Sequence, residues 1–244
     1  MPARLVPLSV SSSDDVKAYF DREAIGYREQ HGAAAHLLRY RLRLIRRFAA
    51  FQPGDHVLEI GCGPGNHLLP LAGMFASGLG TDLSDEMIRI ARREAPDNVR
   101  FGADNAESLS TVTDASADVV FCVGAFEHMI DRRAVLRSVH RVLRPRGRFV
   151  CLTPNGDFVW YSWLAPRLRW PTVRLSTDRY LGRAEMASLC EEAGFRGFEA
   201  GCWSFIPRGD MPAFWACVLR VLDWIGHLGI SGLRGGLVFR CRKP

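Results

Sequence analysis

One short stretch constrains this chain more than any other: Val57-Leu58-Glu59-Ile60-Gly61-Cys62-Gly63-Pro64-Gly65-Asn66. An apolar run of strand length ends in three glycines at alternate positions, and a helical segment follows. Glycines in such a turn let the backbone bend sharply and approach a ligand, because no Cβ stands in the way. In open α/β sheets, turns of this kind lie at the carboxyl ends of the strands, where ligands bind. A nicotinamide-cofactor fingerprint would read G-x-G-x-x-G. Here the spacing is G-x-G-x-G, which opposes a dehydrogenase.

The rest of the chain agrees with a sheet. Apolar runs at 56–60, 77–82, 98–102, 118–123, 148–153, 196–203 and 235–242 read as strands. Helical spacing fills 66–74, 84–95, 131–143 and 183–194. The alternation predicts an α/β fold: a mostly parallel sheet with helices on both faces. Upstream, Ser13 or Asp14 is placed to cap a helix running to about residue 29. A second helix at 33–51 sets Leu37, Leu38, Leu42, Ile45 and Phe48 against Arg39, Arg43, Arg46 and Arg47. The expected organisation is an N-terminal helical cover over 1–51 and a main domain over 52–244. Two helical lid segments at about 154–182 and 203–231 complete it. The stretch 211–230 is the most apolar, but Arg220, Asp223 and His227 interrupt it. That favours a lid or packing helix over a membrane span. An interfacial helix in peripheral membrane contact is the second reading.

Composition removes several classes. A chain of 244 residues, 48% hydrophobic, suits one large soluble domain. The net charge of +6 is spread along the chain without compact basic clusters, which argues for solvated surface rather than nucleic acid. The seven cysteines are odd in number and contain no C-x-x-C pair. They read as reduced thiols of a cytoplasmic protein, not as a disulfide framework or a zinc site. The N-terminus is too polar for a signal peptide.

The string from Val57 to Asn66 resembles motif I of the class I methyltransferases that use S-adenosyl-L-methionine (SAM). The resemblance implies a Rossmann-like fold, SAM as cofactor and S-adenosyl-L-homocysteine as product. It places Glu59, Gly61, Gly63 and Gly65 beside the donor. It gives Asp82, at the end of the second strand, the two ribose hydroxyls, with Ser84 left to cap the next helix. Leu83 and Met87 would line the adenine pocket. Asp104 would accept from the adenine amine, and the backbone of Asn105 and Ala106 would meet the ring nitrogens. Val123, at the end of the fourth strand, would help hold the methionine ammonium, and Tyr27 would close over that end. The turn Leu143-Arg144-Pro145-Arg146-Gly147 is similar to the family's L-x-P-G-G, with Arg146 in place of the first glycine. Thr153-Pro154-Asn155 resembles a subgroup of ubiquinone-pathway O-methyltransferases. The resemblance covers about 55–155 and fades beyond 200.

Within Val123-Gly124-Ala125-Phe126-Glu127-His128-Met129, the resemblance sets His128 near the methyl group. A histidine with an ordinary pKa of ~6.5 can take a proton from a hydroxyl near neutral pH. His128 is therefore the candidate general base; the bland reading is a histidine that orients the loop. Glu127 is a second candidate, as base or as ligand to a cation, though no metal is expected. Phe158, Trp160, Tyr161, Trp163, Trp170, Trp203, Phe205, Phe214 and Trp215 lie outside the core motifs. They suggest a small acceptor that is apolar, aromatic or lipid-like. O-methylation is the leading expectation. Methylation of carbon or nitrogen, an RNA methyltransferase, and a non-catalytic SAM-binding subunit are the alternatives.

Overall fold

A computed structural model describes residues 7–27, 35–205 and 213–244. Seven strands form one sheet: β1 His56–Ile60, β2 Ser77–Asp82, β3 Val99–Ala103, β4 Ala117–Val123, β5 Leu143–Pro154, β6 Arg196–Trp203 and β7 Gly236–Arg242. Their order is β3-β2-β1-β4-β5-β7-β6. The first five strands run parallel, and β7 is inserted antiparallel between β5 and β6. This is the Rossmann-like fold the sequence implies. The order turns back on itself between β1 and β4, which opens a crevice at their carboxyl ends.

Alternation along the strands builds two cores. Leu58, Ile60, Val120, Cys122, Phe149, Cys151 and Phe239 face one side. Val57, Val119, Phe121, Val123, Val150, Leu152 and Val238 face the other. Successive strand residues point to opposite faces, so a sheet covered on both sides needs near-continuous apolar strands. The first core is closed by α5 (Arg132–Val142) and α6 (Arg183–Glu192), through Val135, Leu136, Val139, Met186 and Cys190. The second is closed by α2 (Ala35–Ala49), α3 (Leu68–Leu71) and α4 (Asp85–Ala91), through Ile45, Leu68, Leu71 and Ile88. The remaining helices are α1 (Ser13–Glu23) and α7 (Ala213–Gly226).

Several boundaries differ from the sequence expectation for local reasons. Ser12, not Ser13 or Asp14, caps α1, in a reciprocal capping box with Asp15. The helix stops at Glu23, and the chain turns at 24–26; residues 28 and 29 lie outside the described residues, as do 33, 34, 211 and 212. Strand β5 starts at Leu143 rather than at 148. Arg146 within it has φ of +66°, the left-handed conformation a glycine takes more readily. A π-turn, Trp160–Leu164, runs into a helical turn, Ala165–Arg167, and Leu8 bridges to Leu175. No helix among the described residues is long and apolar enough to cross a membrane.

Candidate active site

A cavity of about 1500 Å³ opens at the carboxyl ends of β1, β2 and β4. Pockets for single ligands measure ~300–1,000 Å³, so this one has room for two molecules. Its floor is the glycine turn. Gly61, Gly63 and Gly65 all take positive φ, at +63°, +52° and +81°. The turn packs tightly at Gly61, where an added Cβ would come 2.4 Å from the Ala125 Cβ. At Gly63 a Cβ would meet nothing nearer than Tyr27, 4.0 Å away, so this side of the turn faces open cavity.

Asp82 closes one side. Its oxygens accept the N–H of Gly63 at 2.7 Å and of Ser84 at 2.9 Å. A carboxylate offers about four acceptor sites, so these two bonds do not exhaust it. Burial pushes its pKa above the ordinary value, and the backbone N–H groups only partly offset that. Ser84 caps α4 by accepting the N–H of Met87. Its hydroxyl donates to Asp21 at 2.6 Å, which pins α1 across the mouth. Leu83, Met87, Asn105, Ala106 and Val123 line the same cavity, and so does Tyr27. Burial raises the Tyr27 hydroxyl to about 12.

Two of the expected residues have their carboxylates held by protein groups. Glu59 does not line the cavity. It lies fully buried behind the turn, accepting the Leu68 N–H at 3.1 Å, with His67 Nδ1 at 3.2 Å from its other oxygen. Burial raises the Glu59 carboxyl well above its usual range and depresses His67 to about 3. Glu59 thus anchors the start of α3 and the glycine turn. Asp104 reaches the cavity wall, but its oxygens accept both the N–H and the hydroxyl of Ser110 and of Thr111, at 2.6–3.3 Å. Those four bonds fill its acceptor sites. It shapes the loop at the cavity wall. The next residue, Asn105, gives its side-chain oxygen to one N–H, that of Glu107.

His128 follows β4 on a short 3₁₀ turn, Phe126–His128, and lines the cavity. Its Nδ1 lies 2.7 Å from Asp178 Oδ1. The other Asp178 oxygen accepts the N–H groups of Arg174 and Leu175. Phe20 of α1 sits edge-on to the imidazole, 5.3 Å between centroids. Burial opposes the charged imidazole, but the Asp178 bond and the Glu127 charge outweigh it, and the net shift is upward. Asp178 is buried, which raises its pKa, yet the His128 bond carries it below the usual value. Glu127 is itself buried and accepts from the Thr153 hydroxyl at 3.2 Å.

The family described as a methyltransferase domain matches residues 58–151. Demethylmenaquinone methyltransferase of Symbiobacterium thermophilum is 29% identical over 62% of this chain and 73% of that protein. Ubiquinone biosynthesis O-methyltransferase of Idiomarina loihiensis is 32% identical over 46% of each. Geranyl diphosphate C-methyltransferase of Streptomyces coelicolor, solved with S-adenosyl-L-homocysteine, shares the fold at a TM-score of 0.69 and 14% identity, covering 98% of this chain and all of that one. Residues 58–151 thus carry a class I SAM-dependent methyltransferase domain. The chain spans less than half the length of several curated relatives it matches.

The residues present fit the methyltransferase's donor. The open side of Gly63 admits a ligand where a Cβ would intrude, and Asp82 keeps acceptor capacity beside it. Two residues of the site were missed in the sequence, one lining the cavity and one behind His128. Arg41 of α2 turns into the cavity, its guanidinium 5.7 Å from the Trp203 ring centre and 5.8 Å from that of Phe205. Burial lowers its pKa. It makes no salt bridge among the described residues, and its Nε has no acceptor. The signal was its place on the apolar stripe with Leu37 and Ile45, apart from the four outward arginines. Asp178 had no signal: it lies 50 residues from His128.

Proposed function

We propose that this methyltransferase O-methylates a small apolar acceptor, with His128 as general base and Asp178 as its positioning partner. When bound, SAM supplies an electrophilic methyl group on a cationic sulfur. The Asp82 carboxylate takes the ribose, the glycine turn lets the donor lie against backbone, and Arg41 takes the donor's carboxylate. Asn105 is better placed than Asp104 to meet the adenine amine, because its oxygen keeps a lone pair.

The observation that carries the reading is the 2.7 Å bond between His128 Nδ1 and Asp178. A carboxylate on one ring nitrogen fixes the tautomer and leaves the other nitrogen as the basic one, and it steadies the imidazolium that forms. His128 Nε2 then receives the acceptor's hydroxyl proton as the oxygen attacks. Methylation at carbon or at an already basic nitrogen has less need of such a pair. The volume beyond the donor, walled by Tyr161, Tyr180, Phe205 and Ala216, supports an apolar acceptor. The relative named for demethylmenaquinone supports a ring-bearing acceptor of that kind. In this reading the segments at 154–182 and 203–231 form the acceptor side, and α1 covers the donor.

The test combines a screen of phenols and quinols for SAM-dependent methyl ethers by mass spectrometry with the His128→Ala variant. The variant should lose roughly 10²–10⁴-fold in kcat, the usual size of a general-base contribution, with S-adenosylhomocysteine affinity retained. An unchanged kcat removes the base and moves the reading to carbon or nitrogen methylation.

A further inference from the structure

Helix α7 carries an apolar stripe that no described residue covers. Phe214, Val221 and Trp224 are 69%, 60% and 70% exposed, and Leu228, just past the helix, is 82% exposed. Cys217 is exposed between them. Their spacing of three and four residues puts them on one face. The opposite face is well packed: Leu219 is buried against Phe158 and Trp160. The exposure is therefore not that of a loose helix. Trp163 and Leu168, on the π-turn and helical turn that pack with α7, are exposed as well. Scattered exposed apolar residues are ordinary, but a contiguous set including two tryptophans and a phenylalanine marks a contact surface.

Charge decides what covers it. Arg167, Arg169 and Arg220 in these segments are exposed. Arg167 lies over the Trp163 ring at 4.3 Å. α7 and the 160–169 turns hold a single acid, Asp223, and it is buried, accepting the Ser204 hydroxyl at 2.6 Å. A second copy of the chain, joined about a two-fold axis, would set this surface against itself. That would oppose arginine to arginine. An anionic lipid surface complements it, with tryptophan and phenylalanine at the depth of the headgroups and arginines on the phosphates.

We propose that the exposed face of α7, with the Trp160–Arg167 turns, docks on an anionic phospholipid surface. Ala216 and Arg220 of the same helix line the active-site cavity, so docking would set the cavity's acceptor side toward the bilayer. The inference rests on the surface alone and does not depend on which atom is methylated.

The purified chain is sedimented with phosphatidylcholine vesicles with and without phosphatidylglycerol, at rising salt. Binding is expected to the anionic vesicles and to weaken as salt screens the arginines. Replacing Trp224 and Leu228 by serine removes two side chains that docking would bury in the lipid, and each should cost about tenfold in partition. The double variant should keep its S-adenosylhomocysteine affinity, which shows that the fold is intact. Arg167→Gln with Arg169→Gln should erase the preference for anionic lipid. Three results overturn the proposal: no binding to either vesicle, binding unchanged in the serine variant, or a dimer in solution that the serine variant dissociates while no vesicle is bound.

Discussion

Gly61→Ala and Gly63→Ala make the same chemical change two residues apart, yet the structure separates them. Both positions have positive φ. An alanine there carries a left-handed penalty of roughly 1–2 kcal/mol. At Gly63 little is added, because the new methyl meets nothing within 4.0 Å but Tyr27. At Gly61 the methyl would sit 2.4 Å from the Ala125 Cβ, far inside contact distance, with Met129 at 3.7 Å behind it. Forcing it in is overpacking, which costs about 1–3 kcal/mol more. Gly61→Ala should therefore destabilise by about 2–5 kcal/mol against ~1–2 for Gly63→Ala. Urea unfolding at constant slope reads the difference. Removing the obstructing methyl supplies the control. Ala125→Gly should cost ~0.5–1 kcal/mol by itself, and should recover most of the overpacking in the double variant. Affinity behaves differently. The Gly63 methyl projects into the cavity, so Gly63→Ala should weaken S-adenosylhomocysteine binding despite its mild effect on folding. Equal destabilisation by the two alanines, or simple additivity of Gly61→Ala with Ala125→Gly, would refute the reasoning.

Asp178→Ala should move the acidic limb of the pH–rate profile to lower pH. Asp178 raises the His128 pKa, the active base is the neutral ring, and its loss lets the ring deprotonate earlier; the plateau rate should fall all the same, by up to ~10⁴-fold, as the tautomer is lost. A limb that stays in place would detach Asp178 from the titration. Arg41→Met should weaken S-adenosylhomocysteine binding by about 10–100-fold, the worth of one charge-assisted hydrogen bond; calorimetry that finds no change would free Arg41 from the donor. Asp82→Ala should reduce the same affinity by ~100-fold or more, through the ribose and through the Gly63 N–H it leaves unpaired. Asp82→Asn, which still accepts from Gly63, should fall between the two.

The central strands were legible because a strand buried on both faces must be apolar throughout: β1 falls where its apolar run predicted it, and β4 begins one residue earlier. The glycine turn was legible because its demand for bare backbone is written in residue type. What sequence reasoning missed was direction. Glu59 lies in β1 and Asp104 just past β3, as expected, but one points behind the turn and the other accepts from its own loop. The deciding partners were a backbone N–H at residue 68 and hydroxyls at 110 and 111, which no motif records. Arg146 shows the converse: a missing glycine in a motif left the turn in place, because arginine takes the left-handed conformation at a tolerable cost.

The His128–Asp178 pair also bears on how one core carries different chemistries. Residues 58–151, which match the methyltransferase family, contain the glycine turn, Asp82 and His128. They do not contain Asp178, which arrives from the segment after β5. That segment is tied to the β4 loop from both sides: the Arg132 side chain donates to the carbonyls of Glu127 and Thr177, and the Arg179 N–H donates to Glu127. The glycine turn and Asp82 thus lie within the shared core, with Tyr27 and Arg41 added to the cavity from the helices before it, while the carboxylate on its histidine comes from the segment after it. A related chain that keeps the histidine and places no acid at the 178 position would hold the same donor and lack a strong base. Under the proposed mechanism the protonation chemistry at the acceptor follows from the later segment, and so does the acceptor's shape, since Tyr180, Phe205 and Ala216 come from beyond the core as well.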